Sequence, residues 1–205
     1  MDKFKTAIIL AGGNSSRMGF DKQFLNINKK RLMDNQINKL RQEYSEIIVV
    51  SNKLNQYKNV SYKVVCDEII GIGPLGGIHA GLKNSSSEYA YLIACDMPII
   101  NNDYIRFMKE KVNNNAYACA CITKRGDRIE PFNGIYSTSL IDKIEENIAK
   151  KHYSIFTLLN NINTIYIEEN EAKKFNRNLD MFINLNNIED LAMCKYSYRS
   201  FNKDF

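Results

Sequence analysis

The stretch LAGGNSSRMGFDKQFL, Leu10–Leu25, follows at once on the apolar run AIIL. An apolar run that short and that continuous suits a strand covered on both faces of a sheet. Gly12 and Gly13 then let the backbone turn sharply and bring its N–H groups close to a ligand. Ser15 and Ser16 can donate to phosphate oxygens, and Arg17 offers a planar fork that matches phosphate. Lys22 supplies a compact charge of use where negative charge grows during phosphoryl chemistry. Together these residues suit an anion, best a phosphate chain. The plainer alternative is a strand–turn–helix with an exposed basic tip. The stretch fits neither G-x-x-x-x-G-K-[ST] nor G-x-G-x-x-G, which sets aside a P-loop and a dinucleotide fingerprint.

Outward from this stretch the pattern alternates. RLMDNQINKLRQEY carries apolar residues at Leu32, Met33, Ile37, Leu40 and Tyr44, a helical spacing. Strands are predicted at 46–51, 61–66, 88–95, 116–122, 132–137 and 164–169. Helices are predicted over GGIHAGLKN, DYIRFMKEKV and SLIDKIEENIAKK. Such alternation predicts a three-layer α/β/α sandwich, Rossmann-like, with a mostly parallel sheet. Ligands of such sheets bind beyond the carboxyl ends of the strands. The loops AGGNSSRMGFDK, CDEIIGIGPLGG and CDMP all fall there. One domain is expected over 1–194, followed by a tail over 195–205.

Composition narrows the class. The 205 residues are 44% hydrophobic and 25% charged, which are globular values. No apolar run approaches the roughly eighteen residues of a membrane span. The start MDKFKTAIIL lacks a small-residue cleavage site and reads as a first core strand, so a cytoplasmic protein is expected. The net charge of +5 is spread along the chain, without the stripe of a nucleic-acid binder. The five cysteines, Cys66, Cys95, Cys119, Cys121 and Cys194, contain no C-x-x-C and read as buried free thiols. Cys119 and Cys121 are expected on one face of a strand.

Two further loops carry chemistry. Asp96 ends the strand YLIAC and precedes Met97-Pro98. A carboxylate there can bind Mg²⁺ between itself and substrate phosphates. It could instead cap the next helix, although Asp103 and the neighbouring asparagines lie nearer that role. Asp67 and the glycines Gly71, Gly73, Gly76 and Gly77 form a second wall that would admit a flat ring or a ribose. Some of those glycines could simply serve the turn into the following helix. His79 reads as structural, and His152 as exposed.

These residues resemble a known family. LAGGNSSRMGFDKQFL is similar to LAGG-x-S-x-R-M-G-x-D-K, the signature of nucleotidyltransferases that join a nucleotide to a phosphorylated acceptor. With GPLGGIHAGL, ACDMP and the late FINLNNIEDL, the chain most resembles the molybdenum cofactor guanylyltransferase family from Ala7 to Leu191. The resemblance implies GMP transfer from GTP to molybdopterin, with Mg²⁺ as cofactor. It implies nucleotide binding by Leu10, Ala11, Gly12, Gly13, Lys22, Asn52, Asp67 and Asp96. Arg17, Lys22 and Asp96 become the catalytic set, Asp96 the metal ligand, and Asn184 and Asn186 acceptor-side residues. It also implies proteins that deliver molybdopterin or receive the product, and neither a nucleic-acid nor a membrane partner. Two departures stand out. Asn187-Ile188 replaces the family's Thr-Pro, and Glu130 precedes the proline of an H-P-type turn in RIEPFNGIY. Cytidylyl transfer to the same cofactor, transfer to a sugar phosphate, and a non-catalytic nucleotide-binding module are the competing readings.

Overall fold

The computed structural model describes residues 2–12, 26–27, 30–69 and 71–185. Gly13, Ser15, Ser16, Arg17, Lys22, Asn186, Asn187, Ile188, Cys194 and the tail 195–205 lie outside them. In chain order the elements are β1 (Thr6–Leu10), β2 (Asn26–Ile27), β3 (Lys30–Arg31), α1 (Leu32–Leu40), β4 (Glu46–Val50), β5 (Lys63–Val65), α2 (Pro74–Lys83) and β6 (Tyr89–Ala94). Then follow α3 (Asn102–Asn113), β7 (Ala120–Arg125), β8 (Arg128–Ser137), α4 (Leu140–Ala149), α5 (Ile155–Asn160), β9 (Thr164–Glu168) and α6 (Glu169–Ala172). Seven strands form one sheet in the order β5-β4-β1-β6-β8-β7-β9, and β2 and β3 form a separate antiparallel pair. β8 alone runs against its neighbours β6 and β7, while the other pairings of the large sheet are parallel. This is the mostly parallel α/β/α sandwich that the alternation predicts.

The strand residues divide between two cores by alternation. Ala7, Ile9 and Val49 pack with Met33, Ile37 and Leu40 of α1 and with Tyr104, Ile105 and Met108 of α3. Ile8, Leu10, Ile48 and Val50 pack with Leu75, Ile78 and Leu82 of α2 and with Leu140 and Ile144 of α4. All five residues of β1 are buried, which explains why its sequence does not alternate in polarity. No helix among the described residues is long and apolar enough to cross a membrane.

The structure corrects four local expectations. Pro74 occupies the first turn of α2, so Gly76 and Gly77 lie in the helix and not in a ligand-facing turn. Gly76 there meets the Asp67 carboxylate, and Gly77 meets Leu10. Glu130-Pro131 lies inside β8, not in a turn. The proline is tolerated because pairing with β6 has ended at Ile93–Asn133 and pairing with β7 shifts register between Cys121 and Thr123. Cys119 and Cys121 face opposite cores, because β7 begins only at Ala120 and Cys119 precedes it. Cys66 is exposed, whereas Cys95 and Cys121 are buried and Cys119 is intermediate.

Candidate active site

β1, β4, β5 and β6 are parallel neighbours, so their carboxyl ends open on one edge of the sheet. That edge gathers Leu10, Ala11, Gly12, Asn52, Asp67 and Asp96. Ladder bonds continue past the strands: Ala11 N–H donates to Val50 O at 2.8 Å, Ser51 N–H to Val65 O at 2.8 Å, and Cys95 N–H to Leu10 O at 2.9 Å. These bonds hold the first residue of each loop. Ala11 is buried and Gly12 is exposed, so the chain leaves the core between them. A Cβ on Gly12 would meet nothing within 4 Å among the described residues.

Asn52 and Asp67 form one side of this edge. The Asp67 N–H donates to Asn52 Oδ1 at 3.1 Å, tying the β4 loop to the β5 loop. Asp67 Oδ1 accepts from Ile69 N–H at 2.9 Å, an Asx-type turn that shapes the following loop. The carboxylate lies over the first turn of α2, where a Cβ on Gly76 would stand 2.5 Å from Oδ2. A helix N-terminus favours negative charge, so glycine permits a close approach that the helix itself rewards. Gly71 and Gly73 take positive φ, 90° and 70°, and carry the chain from that loop into α2. They are the glycines of this segment that shape a turn.

Asp96 stands across the edge from Asp67 in a β-turn over residues 94–97. The turn closes through Met97 N–H to Ala94 O at 3.1 Å. Gln36 of α1 reaches under it, and its Nε2 donates to Ala94 O at 3.0 Å and to Met97 O at 2.7 Å. Leu185 N–H donates to Asp96 O at 2.8 Å, which brings the segment carrying Asn184 alongside. Asp96 does not cap α3. That role belongs to Asn101, whose Oδ1 accepts from Tyr104 N–H at 2.9 Å.

The far side of the edge is built by β7 and β8. Because β7 runs in the same sense as β6, Arg125 at its carboxyl end arrives here, joined to β8 through the two-residue turn Gly126-Asp127. Arg125 Nη1 pairs with Glu130 Oε1 at 2.9 Å, and the guanidinium lies 5.7 Å from the centre of the Phe182 ring. Burial pulls the Glu130 carboxyl above its usual range despite the opposing pull of Arg125. Asn133 Nδ2 donates to Met181 O at 3.1 Å, and Tyr91 OH donates to Asn133 Oδ1 at 2.8 Å. Phe182 and Met181 are thereby anchored just before Asn184, which is exposed.

The structure thus brings Leu10, Ala11, Gly12, Asn52, Asp67, Asp96 and Asn184 to one edge. Sequence reading missed Gln36, although a signal was present. It falls on the apolar face of α1, beside Met33, Ile37 and Leu40, and is 1% exposed. His79 is structural as expected, buried in α2 with Nε2 2.8 Å from Glu145 Oε1 on α4. His152 is exposed, again as expected.

No group of three or more His, Cys, Asp or Glu side chains that could hold a metal occurs among the described residues. A carboxylate at the end of β6, on the edge where the parallel strands finish, suits a cation shared with substrate phosphates, the way Mg²⁺ is commonly held, and not a closed protein cage.

The family model described as the MobA-like NTP transferase domain matches residues 7–163. A protein of Peptoclostridium acidaminophilum named "Probable molybdenum cofactor guanylyltransferase" is 49% identical over 192 residues, covering 92% of this chain and 87% of that one. The molybdenum cofactor guanylyltransferase of Syntrophotalea carbinolica is 48% identical over 188 residues, covering 92% and 89%. The crystal structure of molybdopterin-guanine dinucleotide biosynthesis protein A from Archaeoglobus fulgidus superposes with a TM-score of 0.81 at 24% identity, covering 95% of this chain and 99% of that one. At that identity the superposition speaks for the fold.

Proposed function

The chain belongs to the MobA-like NTP transferase family, and we propose that within it the chain transfers GMP from GTP to molybdopterin. Pyrophosphate leaves and the guanine dinucleotide form of the cofactor is made. The observation that carries this reading is near-half identity, over more than nine tenths of the chain, to two proteins named for that activity. The open edge with its two carboxylate turns is compatible with it.

In this reading the terminal phosphate of molybdopterin attacks the α-phosphorus of GTP in line. A P–O bond forms as the bond to the pyrophosphate oxygen breaks. The nucleophile is already an anion, so little base catalysis is needed. Like-charge repulsion and charge growth on the leaving group are the obstacles, which makes positioning and neutralisation the work of the site. The backbone of Leu10–Gly13 cradles the triphosphate, with Arg17 and Lys22 as its cations. Asn52 and Asp67 hold the nucleoside. Asp96 would hold Mg²⁺ together with the triphosphate, and the ion supplies neutralisation of the charge that builds on the leaving pyrophosphate. Asn184 and Asn186 serve the acceptor side. The enzyme works in the cytoplasm, in exchange with proteins that supply molybdopterin or take the product.

Calorimetric titration with GTP, CTP, ATP and UTP, each with Mg²⁺, tests the base. Clear preference for GTP, followed by pyrophosphate release when molybdopterin is added, is the expected result. Preference for CTP or UTP would move the chain to cytidylyl or sugar-nucleotide transfer. Nucleotide binding without pyrophosphate release would leave a binding module.

A further inference from the structure

We propose that Gln36 is a positioning residue that sets the Asp96 turn for metal binding, an inference that rests on the role given to Asp96 above. Gln36 sits on α1, away from every sequence motif, and is 1% exposed. Its Nε2 donates to both ends of the four-residue turn: to Ala94 O, the first residue, and to Met97 O, the last. Asp96 is the third residue of that turn. Both partners are carbonyl oxygens, so the side-chain orientation is fixed, because a flipped amide would set oxygen against oxygen.

The arrangement has a local cost. Gln36 Oε1 is buried without a hydrogen-bond partner among the described residues. An apolar side chain at this place on the stripe Met33, Ile37, Leu40 would avoid that cost. It would also strip a donor from two carbonyls at the point where β6 ends and the chain must bend. Three further bonds fix the same turn through the main chain: Met97 N–H to Ala94 O, Cys95 N–H to Leu10 O and Leu185 N–H to Asp96 O. Gln36 is the side chain that spans the turn from end to end. What it secures is the angle at which the turn presents Asp96, and outer partners of this kind commonly tune metal affinity by about 10- to 100-fold.

The test reads metal binding directly. Mn²⁺ stands in for Mg²⁺ and is titrated by electron paramagnetic resonance into the full-length protein saturated with GTP. Wild type, Asp96→Asn and Gln36→Met are compared. Gln36→Met keeps the volume and removes the donor. Its Mn²⁺ dissociation constant is expected to rise about tenfold, with GTP affinity in EDTA within about twofold of wild type. A role in packing alone would lower the melting temperature and leave Mn²⁺ affinity where it was, and that outcome overturns the proposal. If Asp96→Asn binds Mn²⁺ like wild type, the assignment of Asp96 falls and takes this inference with it. If Asp96→Asn weakens Mn²⁺ and Gln36→Met does not, only the role of Gln36 falls. Should Gln36→Met fail to fold, Gln36→Asn replaces it. That side chain keeps the amide but is too short to reach both carbonyls, and the same rise in the Mn²⁺ dissociation constant is expected.

Discussion

The strands β1, β4 and β6 have two ends, and the molecule uses them differently. At their amino ends polar side chains are spent on one another. Glu46 Oε2 accepts from Thr6 Oγ1, and from Ser86 N–H and Oγ at 2.9 Å each. Thr6 N–H donates to Ser87 Oγ at 3.1 Å, and Ser87 Oγ donates to Tyr89 O at 2.8 Å. At their carboxyl ends main-chain bonds run through Ala11, Ser51, Cys95, Met97 and Leu185, and Gln36 donates to two carbonyls. One end closes its polar groups into a network that holds three strands together. The other fixes the backbone and so sets the direction in which Asp96 leaves the end of β6. The first arrangement serves stability, and the second serves the site.

The largest effect expected of that division is at Asp96. Asp96→Ala should lower pyrophosphate release by about a thousandfold, the several kcal/mol that a metal-held charge contributes. Wild-type turnover with Mg²⁺ would remove Asp96 from the mechanism and erase the contrast.

Gly76→Ala comes next and probes where the two uses meet. A Cβ 2.5 Å from Asp67 Oδ2 must displace either the carboxylate or the first turn of α2. The carboxylate is the free end of its side chain and alanine favours the helix by about 1 kcal/mol, so stability in urea should change by no more than about 1 kcal/mol, with clearly weaker GTP binding in calorimetry. Unchanged GTP affinity would detach Asp67 from the nucleotide.

Glu46→Gln tests the other end. Burial pulls the Glu46 carboxyl upward, but the bonds from Thr6 and Ser86, with Lys63 nearby, outweigh it and hold the carboxyl below its usual range. A depressed carboxyl stabilises the fold above the unfolded carboxylate range, and that contribution is lost as pH falls through the folded value. Wild type should therefore lose more stability than Glu46→Gln between neutral pH and about pH 3. At neutral pH the substitution should cost about 1 kcal/mol, allowing for screening at this partly exposed group. Turnover per folded molecule should be unchanged; a fall in turnover would blur the two ends.

Asp67→Asn is expected to have the smallest effect on stability, about 0.5 kcal/mol, because Oδ1 remains to accept from Ile69 and only the charge at the helix N-terminus is lost. A much larger loss in thermal denaturation would place Asp67 with Glu46, as a charge committed to structure.

Much of the fold was legible because β1, β4 and β6 are short apolar runs followed by glycine, asparagine or aspartate. Direction was not. Hydrophobic periodicity does not report strand polarity, so the antiparallel insertion of β8 had no signature in FNGIYS. The helix over GGIHAGLKN was read as starting at Gly76, two residues late, whereas Pro74 at the first helical turn was the sign of the earlier start. At the site, Asp67 and Asp96 stood out at strand ends. Gln36 did not, since its partners are backbone carbonyls 58 and 61 residues away and carry no sequence mark.

Cys66 offers a practical consequence. It is an exposed thiol next to Asp67, at the lip of the wall proposed to hold the nucleoside, while Cys95 and Cys121 are buried and Cys119 is intermediate. With Cys119 and Cys194 changed to serine, a maleimide dye should attach at this one place. Its emission would then follow nucleotide entry and release in real time, turning a side chain with no assigned chemistry into an optical gauge of the site.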